Sequence, residues 1–419
     1  MPQWRAGSTP EGGVATSGAV DARTVDADVA GAVLRTAGVV LGERIAQTAA
    51  IDADFSRDLA EGVADFTLSG GRRARPQLLW WTMRACGGGA SAADTEAALR
   101  LGVAIELIQT CALVHDDVMD RSLLRRGRPA VHIDLANRPG PVPGSVLGEA
   151  FGTSAAVLVG DLALAWADDT VADTDMSPAV RRQVQGVWRA MRTEMVAGQY
   201  LDLYGQATGT RSAAAAMRTA YLKSALYSVE RPLVLGAALA GADQRTTRAL
   251  SSAGRCAGIA FQLRDDLLGV FGDPAVTGKP SGGDIREGKP TYLLALARAR
   301  AQESGDRRTR FLLDSAVGCA DLSEAALAEV REALTSTGAR ADVEDRADLL
   351  MRHAGRHLAE ADVEPGAGHR LLGLLRTIAG APAVPLPERS TAGSQAAGNN
   401  APIPAEPILT AAAKGGTAR

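Results

Sequence analysis

ELIQTCALVHDDVMD, residues 106–120, is an apolar run with helical spacing that closes on three carboxylates, Asp116, Asp117 and Asp120. Residues one helical turn apart share a face, so Asp116 and Asp120 point the same way with Asp117 beside them. Like charges at that spacing disfavour each other by roughly 0.2–0.5 kcal/mol per pair even in water. Far along the chain a second apolar stretch ends similarly, FQLRDD at 261–266, with Asp265 and Asp266. Nothing local asks a core helix to collect negative charge. Carboxylates converging from facing helices of a bundle can hold metal ions. An oxygen-only donor set suits hard cations, Mg²⁺ above all, which commonly complete their shell with substrate phosphates. The two stretches together predict an all-α protein whose distant helix ends meet around magnesium.

Composition agrees. Of the 419 residues 46% are hydrophobic and only 4% aromatic, which favours Ala, Leu and Val packed between helices over a sheet. A net charge of -3 carries no nucleic-acid footprint, so no nucleic-acid partner is expected. Cys86, Cys111, Cys256 and Cys319 are scattered without CxxC or zinc spacing and read as reduced thiols of a cytoplasmic protein. The first residues lack the apolar segment of a signal peptide. No uninterrupted apolar run reaches membrane-spanning length, the best, around 155–167, being broken by Asp161, so no transmembrane segment is expected.

Residues 1–25 are rich in Gly, Ser and Thr without a sustained period, and residues 381–419 are rich in Pro, Ala and Gly. Both are expected to be disordered tails. Residues 26–380 read as one large all-α domain. Ser91 with Asp94 caps a helix running to Asp120. Ser177-Pro178 opens another that passes Gln199 and reaches Tyr204. Asp243 caps a third that carries the second acidic cluster and stops at Gly272-Asp273-Pro274. No region offers several period-two strands with hairpin signals.

The basic residues are distributed unusually. Lysine stands at only four positions, 223, 279, 289 and 414, among 45 Lys and Arg residues. A compact ammonium cannot always be replaced by a planar guanidinium where a phosphate is gripped at one point. Lys223, Lys279 and Lys289, the three outside the tails, are therefore candidate ligand groups. The segment GGRRARP at 70–76 places flexible glycines and forked arginine donors at a turn entering a helix. RRGRP at 125–129 follows the first acidic cluster, and Lys279 with GDIREGKP at 283–290 follows the second. Two acidic clusters, each followed by its own basic loop, form the pattern a diphosphate site needs.

These pieces, with GD at 160–161, GQYLDL at 198–203, Lys223-Ser224 and GKPSGGDIREGKPT at 278–291, resemble the trans-isoprenyl diphosphate synthases, the polyprenyl synthetase family. Within it the chain is most similar to the geranylgeranyl diphosphate synthases. The resemblance implies a single-domain helical bundle around a central cavity, of the isoprenoid synthase type, commonly a homodimer. It implies head-to-tail condensation of isopentenyl diphosphate with dimethylallyl, geranyl or farnesyl diphosphate, aided by two or three Mg²⁺ ions. Carried over by motif, Asp116, Asp117, Asp120, Asp265 and Asp266 are the expected metal ligands. Arg125, Lys223, Lys279 and Lys289, with Ser224 and Gln262 nearby, are expected to hold the allylic diphosphate. Arg72, Arg75, Gln109 and Arg126 are expected to hold isopentenyl diphosphate.

Several positions depart from the family pattern. Gly269 stands where a second DDxxD would have its last aspartate, and Arg72, Gln109 and Ser224 replace a common Lys, His and Thr while keeping a donor. Product length is expected to depend on what lies below the first cluster. Cys111 and Ala112, one turn or about 6 Å down, are small and let a chain pass, while Ile108, two turns down, is a candidate floor or equally a plain core isoleucine. A C20 product is favoured over C15, with C25 or longer open. A class I terpene cyclase fits less well. Its second motif needs oxygen ligands at i, i+4 and i+8, where this chain has Asp265, Gly269 and Asp273, and it needs no second diphosphate site. A non-catalytic helical partner subunit would be expected to have lost an aspartate cluster. His353 and His357 lack a third ligand in register, Asp168, Asp169 and Asp173 read as a solvated face, and Trp80-Trp81 as packing residues.

Overall fold

A computed structural model describes residues 21–138, 146–209, 211–273 and 281–380. Its helices are α1 (Ala22–Ala27), α2 (Val29–Ala49), α3 (53–68), α4 (Ala74–Ala85), α5 (Ala92–Met119), α6 (Val131–Ala136), α7 (Val146–Ala172) and α8 (Pro178–Thr208). There follow α9 (213–239), α10 (Gln244–Phe271), α11 (Gly283–Arg286), α12 (Tyr292–Glu303), α13 (Arg307–Ala316), α14 (Glu324–Ser336), α15 (Ala339–Glu360) and α16 (Pro365–Ile378). The fold is all-α, as expected. The expected caps form: Ser91 Oγ accepts from Asp94 N at 3.0 Å, and Asp243 Oδ1 accepts from Thr246 N at 2.7 Å. Among the described residues the one sheet is a two-stranded clip, β1 (Leu124–Arg125) against β2 (Arg128–Pro129). Arg126 and Gly127 turn it with φ of 55° and 75°, the positive pair that tight hairpins require.

Buried residues from α1 to α16 form one contiguous hydrophobic core, with α5 at its centre and α2, α4 and α7 against it. Helix α1 starts inside the stretch expected to be a disordered tail, because Val25 is fully buried there. Most of both expected tails, residues 1–20 and 381–419, lies outside the described residues. The expectation about membrane-spanning length needs correction. Helices α5 and α7 are both long and apolar enough by length and composition, with best-window mean hydropathies of 1.6 and 1.5. Asp161 alone does not offset the Ala, Val and Leu around it. In α5, 78% of that window is buried inside the fold, against 44% in α7.

Helix α9 is where the packing sets the site. Its middle, Ala220–Glu230, is π-helical, a wider turn common at functional positions. Two glycines let its neighbours approach closely. A Cβ at Gly198 of α8 would come within 2.6 Å of Lys223 N, and one at Gly258 of α10 within 2.5 Å of Ala225 Cα. Helices α8 and α10 therefore press on α9 from either side, level with Lys223.

The lesser features stay structural. Trp80 is buried and donates its indole N–H to Asp26 at 2.9 Å, and Arg370 lies 4.8 Å over the Trp81 ring. Asp168 pairs with Arg192, while Asp169 and Asp173 meet Arg44 at 3.7 and 2.8 Å.

Candidate active site

The C-terminal end of α5, helices α8, α9 and α10, and the segment 284–292 surround a cavity of about 650 Å³, within the range of small-molecule sites. Asp116 and Lys223 face each other across one wall. Lys223 Nζ lies 3.1 Å from Asp116 Oδ1 and 2.6 Å from Asp202 Oδ2, and Gln199 donates to Asp116 at 3.0 Å. Burial alone would push the Asp116 carboxyl up, but Lys223, Arg125 and Gln199 together hold it below the ordinary range. Burial likewise opposes charge on Lys223, and Asp202 and Asp116 overcome it.

Asp117 behaves differently from its neighbours. It is fully buried, does not line the cavity, and takes both Nε and a terminal N–H of Arg125, the Nε bonds being 2.9 and 3.1 Å. The same guanidinium reaches Asp116 at 3.3 Å. The β1–β2 clip thus swings Arg125 back onto the motif that precedes it.

On the far wall stand Asp265, Asp266, Asp284 and Lys289. Ser224 Oγ donates to Gln262 Oε1, whose amide donates to Asp266 at 2.8 Å; Tyr292 N donates to the other Asp266 oxygen at 3.3 Å. Burial pushes the Asp266 carboxyl up to about 8, and Asp284 and Asp265 add to it. Lys289 spans to the first cluster, 3.3 Å from Asp120 and 2.7 Å from Glu287. Asp120 itself is raised, by burial and by Asp116, against the pull of Lys289.

The expected isopentenyl diphosphate set is divided. Arg75 and Gln109 line the main cavity, where Arg75 donates to Ser228 Oγ at 2.8 Å and Tyr227 donates to Gln109 at 2.9 Å. Arg126 lines an adjoining cavity of about 160 Å³, which shares Arg125 with the first. It is anchored to Ser69 O, and burial together with Arg73 lowers its proton affinity, with Arg125 and Arg75 contributing. Arg72 is exposed and lines neither cavity; its neighbour Arg73 is the buried one, paired to Glu106. Lys279 lies outside the described residues.

Cys111 and Ala112 line the cavity, and burial pushes the Cys111 thiol up to about 12. Ile108 does not line the cavity. It is fully buried in the core, as is Met191 of α8, while Met195 one turn above Met191 lines the cavity. Cys111, Ala112 and Met195 line the cavity, whereas Ile108 and Met191 do not. The cavity instead runs outward past Val196 and Tyr200, which are 61% and 62% exposed.

Gln199, Asp202, Tyr227 and Asp284 contribute polar atoms to this site without having been singled out from the sequence. The signal for the first two was present: polar residues three apart in the GQYLDL stretch. Among the described residues no three His, Cys, Asp or Glu groups are drawn to metal-ligand geometry, since Lys223, Arg125 and Lys289 stand between the carboxylates. The chemistry of the donor set nevertheless fits a divalent cation. Asp120 and Asp266 are crowded, oxygen-only and held above their ordinary pKa, an environment that a hard cation relieves.

Comparisons with known proteins point the same way. The polyprenyl synthetase family model matches residues 57–330. Geranylfarnesyl diphosphate synthase of Aeropyrum pernix is 31% identical over 311 residues, covering 73% of this chain and 89% of that protein. Farnesyl diphosphate synthase of Geobacillus stearothermophilus is 35% identical over 274 residues, 63% of this chain and 83% of the relative. The structure of geranylgeranyl pyrophosphate synthase from Corynebacterium glutamicum, solved with isoprenyl diphosphate and magnesium, superposes with a TM-score of 0.76 at 36% identity. That match covers 83% of this chain and 98% of the other. Fold, facing acidic clusters and sequence together place this chain in the polyprenyl synthetase family, and it is a prenyltransferase.

Proposed function

We propose that the chain condenses isopentenyl diphosphate head to tail with an allylic diphosphate to give geranylgeranyl diphosphate. The observation that supports this reading is Arg75, whose Nε is buried without a hydrogen-bond partner in the cavity that Lys223 and Asp116 also line, a donor that a second diphosphate could take. A terpene cyclase handles one diphosphate and has no use for both.

Lys223, Arg125 and Lys289 bind the allylic diphosphate, with Ser224 and Gln262 orienting Asp266 beneath it. Asp116 and Asp120 on one wall and Asp265 and Asp266 on the other would hold two or three Mg²⁺ ions. Bound magnesium supplies neutralisation of the departing pyrophosphate, which lowers the barrier to breaking the allylic C–O bond. The electron pair leaves with pyrophosphate. The isopentenyl double bond, aligned by Arg75 and Gln109 with Arg126, attacks the allylic carbon, and the resulting cation loses a proton to the pyrophosphate. Asp117 positions Arg125. Small Cys111 and Ala112 and the outward path past Val196 support a C20 chain. The named relatives differ in product length at similar identity, so similarity alone does not choose among them.

On α7, Leu147, Phe151 and Leu158 are 80%, 46% and 54% exposed, an apolar face that a second copy of the chain would cover. Four unpaired cysteines support a reducing, cytoplasmic setting.

The test incubates the purified protein with labelled isopentenyl diphosphate, each allylic starter in turn, and Mg²⁺, then chromatographs the dephosphorylated product. A C20 alcohol is expected. Absence of any prenyl product overturns the reading, and a C15 or C25 alcohol overturns the chain length alone.

A further inference from the structure

Among the residues of α9 that line the cavity, Ala216, Ala220, Ser224 and Ser228 recur every four positions, with Lys223 and Tyr227 beside them. An α-helix of about 3.6 residues per turn drifts about 40° with every such step, so from 216 to 228 the stripe would sweep about 120° around the axis. A wider turn rotates less per residue and cancels that drift. Residues 220–230 are π-helical, which keeps the stripe on one side.

Pro232 lies outside the acidic and basic motifs, is buried, and does not line the cavity. Proline has no N–H, so Pro232 gives nothing to the Ser228 carbonyl four residues back, and in an α-helix its ring would crowd that carbonyl. The turn before it is open: Arg231 N donates five residues back, to Leu226 O. A proline that merely starts a helix stands where no turn precedes it, whereas α9 runs unbroken through this point. The neighbouring helices seat the widened turns. On α10 a Cβ at Gly254 would lie 2.8 Å from Glu230 Cα, and one at Gly258 2.5 Å from Ala225 Cα, so two glycines one turn apart form a groove that α9 fills. Ser251 of α10 donates to Glu230, and Arg231 Nε donates to Glu194 of α8 at 2.7 Å, which pins the last wide turn from both sides.

We propose that Pro232 is a positioning residue of the prenyl transfer. By withholding an α-helical bond from Ser228 it sets the wide register that aims Lys223 at Asp116 and Asp202, with Ser224, Tyr227 and Ser228 turned to the same cavity. This rests on the proposed role of Lys223 in holding the allylic diphosphate.

Pro232→Ala restores the missing N–H and tests the register. Its melting temperature should stay within a few degrees of wild type, since better helix propensity offsets the lost buried ring atoms. The value of kcat/KM should fall about 100-fold, the loss that a displacement of about 1 Å can cause. Affinity for inorganic pyrophosphate with Mg²⁺, read by isothermal titration calorimetry, should fall with it. Because the effect passes through Lys223, the same change made in Lys223→Met should cost less than about tenfold further. Wild-type-like kcat/KM and pyrophosphate affinity, or the full loss repeated in the Lys223→Met background, overturns the inference. So does a Pro232→Ala variant that melts far below wild type, which would make the proline a residue of the fold alone. If the wild type makes no prenyl product, the proposed reaction falls; weaker pyrophosphate binding by Pro232→Ala then still supports the role of Pro232, and unchanged binding overturns it.

Discussion

Replacing Lys223 with Met, alone and with Asp202→Asn, separates what this lysine does for the fold from what it does for the reaction. Its ammonium lies 2.6 Å from Asp202 and 3.1 Å from Asp116, whose side chains are 12% and 18% exposed. Breaking a buried ion pair by removing one partner costs about 3–5 kcal/mol; with Lys223 itself 32% exposed, screening brings this to about 2–3 kcal/mol. Adding Asp202→Asn removes one of the two stranded charges and should return more than half of that stability. Activity should not follow. A unit charge about 4 Å from a diphosphate oxygen is worth about 4 kcal/mol at an effective dielectric of 20. Partial hydration of the site reduces this, which leaves a drop of about 100- to 1000-fold in kcat/KM for both variants at 1.4 kcal/mol per tenfold. Urea melts read the first quantity and a pyrophosphate-release assay the second. A double variant within about threefold of wild-type kcat/KM, less than 1 kcal/mol of barrier, would show that Lys223 serves only the fold. Lys223→Arg completes the set: unchanged kinetics would mean that the scarcity of lysine elsewhere is coincidence.

Cys111→Phe or Ala112→Phe should shorten the product, read by chromatography of the dephosphorylated alcohol, because both residues line the cavity; an unchanged product means that the chain leaves by another route. Ile108→Ala should lower stability by about 2–5 kcal/mol in urea melts, as for other buried Ile truncations, and leave product length alone, since Ile108 packs in the core. Glu230 is raised by burial, opposed by Arg255, Ser251 and Arg231, and its Oε2 has no partner. The folded state therefore holds a proton there that the unfolded chain releases near pH 4.3, so this contribution to stability falls as pH rises from there through the raised value. Glu230→Gln should flatten that decline; melting temperatures of the two proteins running parallel from pH 4.5 to 8 would refute the assignment.

The acidic clusters were legible because they oppose local preference. Nothing in a core helix rewards Asp116, Asp117 and Asp120 together, and both described body lysines, Lys223 and Lys289, do line the cavity. What spacing could not resolve was which carboxylate faces inward. Asp116 and Asp117 are adjacent on α5, and the hairpin turn at Arg126-Gly127 decides that Arg125 claims the second. The depth of the cavity was also hidden. Positions 108, 112 and 116 are each one turn apart, yet Ala112 and Asp116 line the cavity and Ile108 does not, and no periodicity in α5 reports where the space ends.

Cations from three separate parts of the chain meet the first acidic cluster: Arg125 from the loop after it, Lys223 from α9 and Lys289 from the loop after the second cluster. Asp116 is held by Lys223 and Arg125, and Asp120 by Lys289, so the carboxylates proposed to bind metal carry, before substrate arrives, the cations proposed to bind diphosphate. Stripping either set of its partners in a part-buried cavity would leave uncompensated charge, which is strongly destabilising. On the proposed reading, Lys223, Arg125 and Lys289 would meet the phosphate oxygens and the aspartates would hold the divalent ions, so that neither set would be stranded. Asp117 stays behind to hold Arg125 within reach of both partners. On this account the carboxylates and the cations of the cavity satisfy each other's charge, although only Arg125 is close in sequence to the aspartates it meets.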